Sequence, residues 1–359
     1  MIANALLQRL TSPLPIDAYR TLANPLWTRS VRGVVESAVA LTPHSTAVRI
    51  RTNRAWPGHR AGQYVTLGVE IDGVRHHRCY SITTPNSGPG STTIEIAVQR
   101  VEGGLMSSYL NGALRPGDVV HLGEPDGDFT LPSLVPERLL FVTGGSGITP
   151  VIGMLRALAL RAPVDAARQS DVIVVHHAPT PERTMFADDL SQLADRHEWL
   201  TVHVVHTRAD GARLDANRLD TLCPDWRDRE AYVCGPSALT AFATDHWAEH
   251  GALDRLHLER FTLALPGHPA TDAPDSTVTT TFERSGVAVE ATAAATLLDT
   301  AEAAGVMAPY GCRTGNCHTC STRLVSGCTT DLRDGRVSDA GTHVQLCVSA
   351  PLTDVVLDV

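Results

Sequence analysis

Leu139-Leu140-Phe141-Val142-Thr143-Gly144-Gly145-Ser146-Gly147-Ile148-Thr149-Pro150 joins an apolar run to a glycine-rich turn in the middle of the chain. Four consecutive apolar residues suit a strand buried on both faces. The glycines make a tight turn, and Pro150 fits the first turn of a helix that Val151–Leu160 continues. Backbone N–H groups and a helix N-terminus at a strand end receive a phosphate or pyrophosphate, although the spacing is not G-x-G-x-x-G. Downstream, Asp171–His176, Thr201–His206 and Ala231–Cys234 read as strands, and Met185–Ala194 and Ala238–Glu249 as helices. This alternation predicts a parallel sheet with crossovers. Tyr232-Val233-Cys234-Gly235-Pro236 again ends a strand and opens a helix, at the edge where such sheets bind ligands. Cys234 there reads equally well as a functional group or as a buried strand-end thiol.

Upstream, from Val31 to about Pro132, short alternating runs (Thr46–Ile50, Tyr64–Val69, Thr93–Gln99) are separated by Gly, Pro and Asn clusters, which suits a small antiparallel barrel. Within it lies Arg78-Cys79-Tyr80-Ser81. A Tyr ring can cover a flat isoalloxazine, an Arg can hold a phosphate bidentately, and a Ser hydroxyl can bond a ring nitrogen. Gly103-Gly104-Leu105-Met106-Ser107 is expected to open a helix at Ser108–Leu110. It offers N–H groups to a phosphate, or else is a plain turn with a Ser N-cap.

Downstream, Leu263–Ser276 holds three prolines and no periodicity, and reads as a linker. Beyond it come β-like Thr277–Phe282 and Val287–Glu290, a helix near Thr296–Ala304, and Cys312-x4-Cys317-x2-Cys320 with Cys347 further on. That is the plant-type [2Fe–2S] spacing. Three thiolates on one loop and a fourth from a distant segment enclose two irons once the fold closes, and Gly311, Thr314, Gly315 and Asn316 let the loop curl. Zinc sites pair their ligands in two short-spaced clusters, whereas here one thiolate stands alone. His318 is a bystander in this reading.

The whole chain has 359 residues, 43% hydrophobic and 19% charged, ordinary for a folded protein of two or three domains. A net charge of −9 argues against a nucleic-acid partner, and all 30 basic residues are Arg. No apolar run approaches the ~20 residues of a membrane span, so an integral membrane protein is not expected. Eight cysteines in a chain this long do not make a disulfide scaffold and point to a metal site in a reducing, cytoplasmic compartment. Residues 1–30 read as a helical extension.

The motifs, in this order, resemble the ferredoxin–NADP reductase superfamily. The resemblance implies that Arg78, Tyr80, Ser81, Gly104, Met106 and Ser107 hold a flavin. It implies that Gly144, Gly145, Gly147 and Thr149 hold the nicotinamide dinucleotide, with Cys234, Gly235 and Pro236 bordering the reacting ring. Glu259-Arg260-Phe261 matches the E-x-F ending of many members. The implied catalytic group is Ser81, Thr149, Cys234 and Glu259, with Ser81 and Thr149 aligning the reacting atoms. The fold expected is multidomain: an antiparallel β-barrel flavin domain (31–133), an α/β nucleotide domain with a parallel sheet (134–262), the linker (263–276) and an α+β, β-grasp-like ferredoxin domain (277–359).

The compact G-G-L-M-S-S pattern favours FAD over FMN, the alternative being an FMN-containing reductase of the phthalate type. No acidic residue follows Val175 closely, while Arg183 and Arg208 are available for a 2′-phosphate, which favours NADPH over NADH. The arrangement is similar to reductases that serve a terminal oxygenase, hydroxylase or fatty-acyl desaturase on another chain. Residues 277–359 carry nine acidic residues and five Arg, a net of −4 that could steer a basic partner site. A reading of a different class is a flavin and iron–sulfur redox sensor.

Overall fold

The computed structural model describes residues 30–71, 73–90, 92–160, 170–208, 213–261, 277–292, 295–311, 315, 318–333 and 335–359. The expected N-terminal extension (apart from Ser30) and the linker lie outside these residues. The chain divides into two compact units, Met1–Glu259 and Arg260–Val359.

In the first unit, strands β1 (Arg32–Thr42), β2 (Ser45–Thr52), β3 (Tyr64–Ile71), β4 (Val74–Ser81) and β5 (Thr93–Gln99) precede helix α1 (Leu105–Gly112) and strand β6 (Val119–Leu122). The six strands form one antiparallel sheet in the order β4-β3-β6-β1-β2-β5. A bridge between Ile82 and Ile96 ties its two outer ends together. Alternate residues point inward, so Val48, Ile50, Ile94, Ile96 and Val98 are buried in one core with Leu67 and Val120. Helix α1 plugs this core with Met106 and Leu110. It starts three residues before the expected Ser108, because Gly104, extended at φ −78°, already serves as the N-cap.

The unit continues with β7 (Arg138–Gly144), α2 (Ile148–Ala159), β8 (Asp171–Ala178), α3 (Ala187–Arg196), β9 (Leu200–His206), α4 (Ala216–Leu222), β10 (Glu230–Cys234), α5 (Ser237–Glu249) and β11 (Leu256–Glu259). The five strands are parallel in the order β11-β10-β7-β8-β9. The order reverses beside β7: the chain runs outward to β8 and β9, then returns to β10. Ligands bind at such a switch point in open α/β sheets.

The second unit holds β12 (Thr277–Phe282), β13 (Val287–Thr292), α6 (Leu297–Ala303), β14 (Ser321–Ser326), β15 (Cys328–Asp331), β16 (Val337–Asp339), β17 (His343–Gln345), β18 (Ser349–Pro351) and β19 (Val355–Leu357). A mixed sheet of order β13-β12-β19-β14-β17 pairs β12 with β19 in parallel and its other neighbours antiparallel, and β16-β15-β18 form a small second sheet. Thr296 caps α6 by accepting from Asp299 N (3.0 Å). Leu297, Leu298 and Ala301 of that helix join Phe282, Leu324 and Leu357 in the core. This is the α+β arrangement expected for a ferredoxin-like domain. Among the described residues, no helix is long and apolar enough to cross a membrane.

Candidate active site

The parallel sheet brings two of the sequence motifs into contact at its carboxyl edge. The Gly145–Gly147 turn after β7 lies against the Cys234-Gly235-Pro236 turn after β10, backbone on backbone. A Cβ on Gly147 would collide with the carbonyl of Cys234, and one on Gly144 would sit 2.8 Å from Pro236 Cδ. The glycines are therefore required by the protein's own close packing, in addition to the access to a pyrophosphate inferred from the sequence. Gly145 adopts φ +56°, a left-handed conformation that glycine takes without strain. The N–H of Ile148, which opens α2, bonds back to Gly145 O and Ser146 O, and Pro150 has none, so the glycine turn itself is the part of this edge that can approach a phosphate.

The third motif arrives from the barrel. Ser81 ends β4, opposite Tyr64 in the ladder. It is 4% exposed, and its Oγ has no hydrogen-bond partner among the described residues. A buried hydroxyl is rarely left so, and this one fits a ligand with a polar ring edge. The chain just after Ser81 packs on α2: a Cβ on Gly153 would lie 2.7 Å from Ile82 O. Gly153 lies one turn beyond Thr149 on the same helix face. Thr149 itself is buried and donates to Ser146 O (2.9 Å), bracing the glycine turn.

Cys234 and Glu259 are adjacent on β10 and β11. The thiol faces Glu259 Oε2 at 3.9 Å. Burial pushes the Glu259 carboxyl up to about 8, so it holds its proton at neutral pH. Burial, with Glu259 beside it, also pushes the Cys234 thiol well up. The pair is thus neutral, with a carboxylic acid that can hold or release a proton.

In the second unit, Cys320 Sγ and Cys347 Sγ are 3.3 Å apart, and both residues are buried. Two thiolates about 2.3 Å from one tetrahedral metal stand ~3.8 Å apart, so a small opening of this pair fits a shared iron. Cys312 and Cys317 lie outside the described residues. Between them Gly315, at φ +80°, has its carbonyl gripped by Gln345 Nε2 (2.7 Å) and Arg333 NH1 (3.1 Å). Arg333 is itself held by Asp331 at 2.7 and 3.0 Å. Gly315 is therefore held from two sides, by Gln345 at the end of β17 and by Arg333 just past β15.

Comparison with known proteins accords with this geometry. The oxidoreductase FAD-binding domain family matches residues 34–131, the oxidoreductase NAD-binding domain family 141–245, and the 2Fe-2S iron–sulfur cluster binding domain family 280–352. An NADPH oxidoreductase of Mycobacterium tuberculosis is 40% identical over 354 residues, covering 98% of this chain and 90% of the relative. The chain belongs to the ferredoxin–NADP reductase superfamily, with a fused 2Fe-2S domain. A glycine betaine monooxygenase reductase subunit of Pseudomonas aeruginosa is 29% identical over 324 residues, 83% of this reductase and 87% of the relative. Among solved structures, phthalate dioxygenase reductase superposes with a TM-score of 0.61 at 26% identity, covering 91% of this chain and 97% of that one.

The reductase is thus an oxidoreductase with FAD, NAD(P)H and [2Fe–2S] domains, and the structure sorts its motif residues. Arg78 NH1 donates to His77 O (2.8 Å), and Tyr80 packs on the barrel core, where burial raises its phenol. Gly104 and Ser107 form a self-contained turn in which Ser107 Oγ accepts from Val101 N (3.1 Å) and donates to Gly104 O (3.2 Å). The serine is therefore not an N-cap. Met106 is a core residue, so it has only its backbone N–H to offer a ligand. Arg183 donates to His44 Nε2 (3.2 Å), while exposed Arg208 is pinned by its backbone N to Pro179 O (3.1 Å) at the end of β8. Phe261 lies two residues past β11 and is half-buried.

Two features escaped the sequence reading. Arg156 of α2 reaches across to the barrel, bonding Glu95 Oε1 (2.7 Å) and Thr83 O (3.0 Å), while its other nitrogen takes Asp189 Oδ1 (2.6 Å). His176 and His177 end β8 with both Nε2 atoms buried and partnerless among the described residues. Burial lowers both rings, His176 to about 3, so they are neutral polar groups at the nucleotide edge.

Proposed function

We propose that this reductase takes electrons from NADPH and delivers them, through FAD and the [2Fe–2S] cluster, to a terminal oxygenase, hydroxylase or desaturase on a separate chain. FAD exchanges electrons in pairs with a nicotinamide and releases them singly, as a one-electron cluster requires. The observation that carries the reading is the convergence on α2: the segment after Ser81, the glycine turn and, through it, the C-G-P turn all pack at one helix. In this reading Arg78, Tyr80, Ser81, Gly104 and Ser107 hold the flavin, and Ser81 Oγ supplies the hydrogen bond it now lacks. Gly144, Gly145, Gly147, Thr149, Gly235 and Pro236 shape the nucleotide cleft. Cys234 excludes water beside the nicotinamide position, and Glu259 keeps a proton there. Cys312, Cys317, Cys320 and Cys347 ligate the cluster.

The preference for NADPH rests on three observations. No acidic side chain ends β8, Arg208 is exposed at the neighbouring strand end, and Arg218 is close enough to His177 to lower its basicity. The M. tuberculosis relative is itself an NADPH oxidoreductase. A partner on a separate chain is supported by the P. aeruginosa relative, a subunit of a monooxygenase system. Cys317→Ser tests the order of transfer. It is expected to abolish the cluster and reduction of cytochrome c while leaving NADPH-to-ferricyanide turnover largely intact. Loss of both activities with the flavin still bound refutes that order, and a kcat/KM for NADH equal to or above that for NADPH refutes the cofactor preference.

A further inference from the structure

We propose that the C-terminal end of α5 carries a divalent transition-metal site of the zinc class, formed by His246, Glu249 and His250. None of these residues takes part in the redox machinery. They stand at i, i+3 and i+4, with His250 as the C-cap just past the last helical residue, and so converge at one end of the helix. Each offers one ligand atom, and these atoms lie within 4.8 Å of one another. Two imidazoles and a carboxylate are a zinc-type donor set, and three protein ligands leave one position for water or a fourth ligand.

Two details separate this cluster from a chance grouping of surface polar residues. His250 Nδ1 lies 2.8 Å from the carbonyl of His246. A carbonyl only accepts, so Nδ1 carries the proton and the Nε2 lone pair is free in the neutral ring. A ligating histidine fixed through its other nitrogen to a carbonyl is the usual supporting arrangement of metal sites. His246 in turn is 7% exposed, and its Nε2 is buried without a hydrogen-bond partner among the described residues. A buried ring nitrogen left over in a native fold calls for an explanation, and a metal bond supplies one.

The site is also held from below. Trp226 packs on both rings, with centroids 4.6 Å from His246 and 5.3 Å from His250, and the two imidazoles are themselves 4.6 Å apart. Trp226 is fixed by its Nε1–H to Asp220 Oδ1 (2.8 Å). Ligands at zinc stand ~3.3 Å apart, so closing the shell requires roughly 1.5 Å of movement. Glu249, exposed at the end of the helix, can make most of it while His250 stays on its carbonyl. A bound ion would tie Glu249 and His250 to His246 and so brace the last turn of α5.

The test is calorimetric titration of the FAD- and cluster-loaded full chain with zinc chloride, alongside His250→Ala and Glu249→Ala. Both substitutions are at exposed positions outside the redox site and should leave ferricyanide turnover unchanged. The wild type is expected to take up one saturable equivalent, weakened at least tenfold by His250→Ala and less by Glu249→Ala. X-ray absorption of the zinc-loaded protein should show nitrogen and oxygen neighbours. Absence of saturable uptake, an unchanged isotherm for His250→Ala, or a shell of sulfur each overturns the site.

Discussion

Replacing Glu259 by Gln isolates the energetic cost of keeping a carboxyl inside the nucleotide lobe. In the folded protein the group holds its proton up to about 8, against an ordinary value of 4.5, because burial disfavours the carboxylate. Below pH 4.5 both folded and unfolded chains are protonated there, and the group contributes nothing to stability. Between 4.5 and about 8 the unfolded chain releases a proton that the folded chain retains, so stability falls as pH rises. At about 1.4 kcal/mol per pH unit the cost is ~3 kcal/mol at pH 7 and reaches a ceiling of ~5 kcal/mol above pH 8. Gln has nearly the same shape and no charge, so the variant escapes this slope. Guanidinium unfolding of both proteins at equal FAD saturation, at pH 5, 7 and 9, should show Glu259→Gln gaining on the wild type at each step. A difference that stays constant from pH 5 to 9 refutes the reasoning, because it means the carboxyl ionises in the folded state as it does in water.

Other perturbations address the packing. Gly147→Ala puts a methyl group against the Cys234 carbonyl; a cost of about 1–3 kcal/mol and weaker NADPH binding are expected, measured by unfolding midpoint and by nucleotide titration. Arg156→Gln leaves Glu95, 9% exposed, without its cation. The expected loss is about 2–3 kcal/mol, below that for a fully buried pair because the guanidinium is partly exposed, and Arg156→Lys should recover part of it; an unchanged midpoint counts against the network. Arg333→Ala removes one of two clamps on Gly315, so visible absorbance of the cluster should decay several-fold faster in air while flavin content stays constant. Equal decay rates would show the clamp to be idle.

The sequence disclosed what is periodic or contiguous. Leu139–Val142 followed by glycines had one sensible structure, and its strand and helix lie within a few residues of the expected places. The cysteine spacing pointed as directly to a 2Fe-2S domain, which residues 280–352 match. β11 was missed because Leu256–Glu259 is only four residues long, and its strand character comes from pairing with β10. The three-residue strands of the second unit carry too little pattern to register. At the site, Arg156 and Glu95 are 61 positions apart. An Arg in a helical run and a Glu in an alternating strand each read as solvent-facing, and only the fold brings them together. Gly147 shows a subtler gap. The sequence places it in a tight turn at a phosphate site, while the structure packs it against another loop of the same chain.

These separate features make one mechanical statement about α2. Thr149, Gly153 and Arg156 are spaced by four and three residues, and so lie along one stripe of the helix. Thr149 braces the nucleotide turn, Gly153 receives the chain leaving Ser81, and Arg156 locks Glu95 of the barrel. One helix of twelve residues thus packs against both the glycine turn and the segment after Ser81. Because side chains packed at interior density do not yield by fractions of an ångström, the separation of the two half-sites is set by this stripe rather than by either lobe alone. The reactivity of closely positioned partners depends steeply on that separation. Substitutions at Gly153 and Arg156, which need not touch either cofactor, should therefore lower kcat more than they raise KM for NADPH. An Arg156→Gln enzyme that lost NADPH affinity while keeping its kcat would place the residue in nucleotide binding and remove α2 from its role as the spacer.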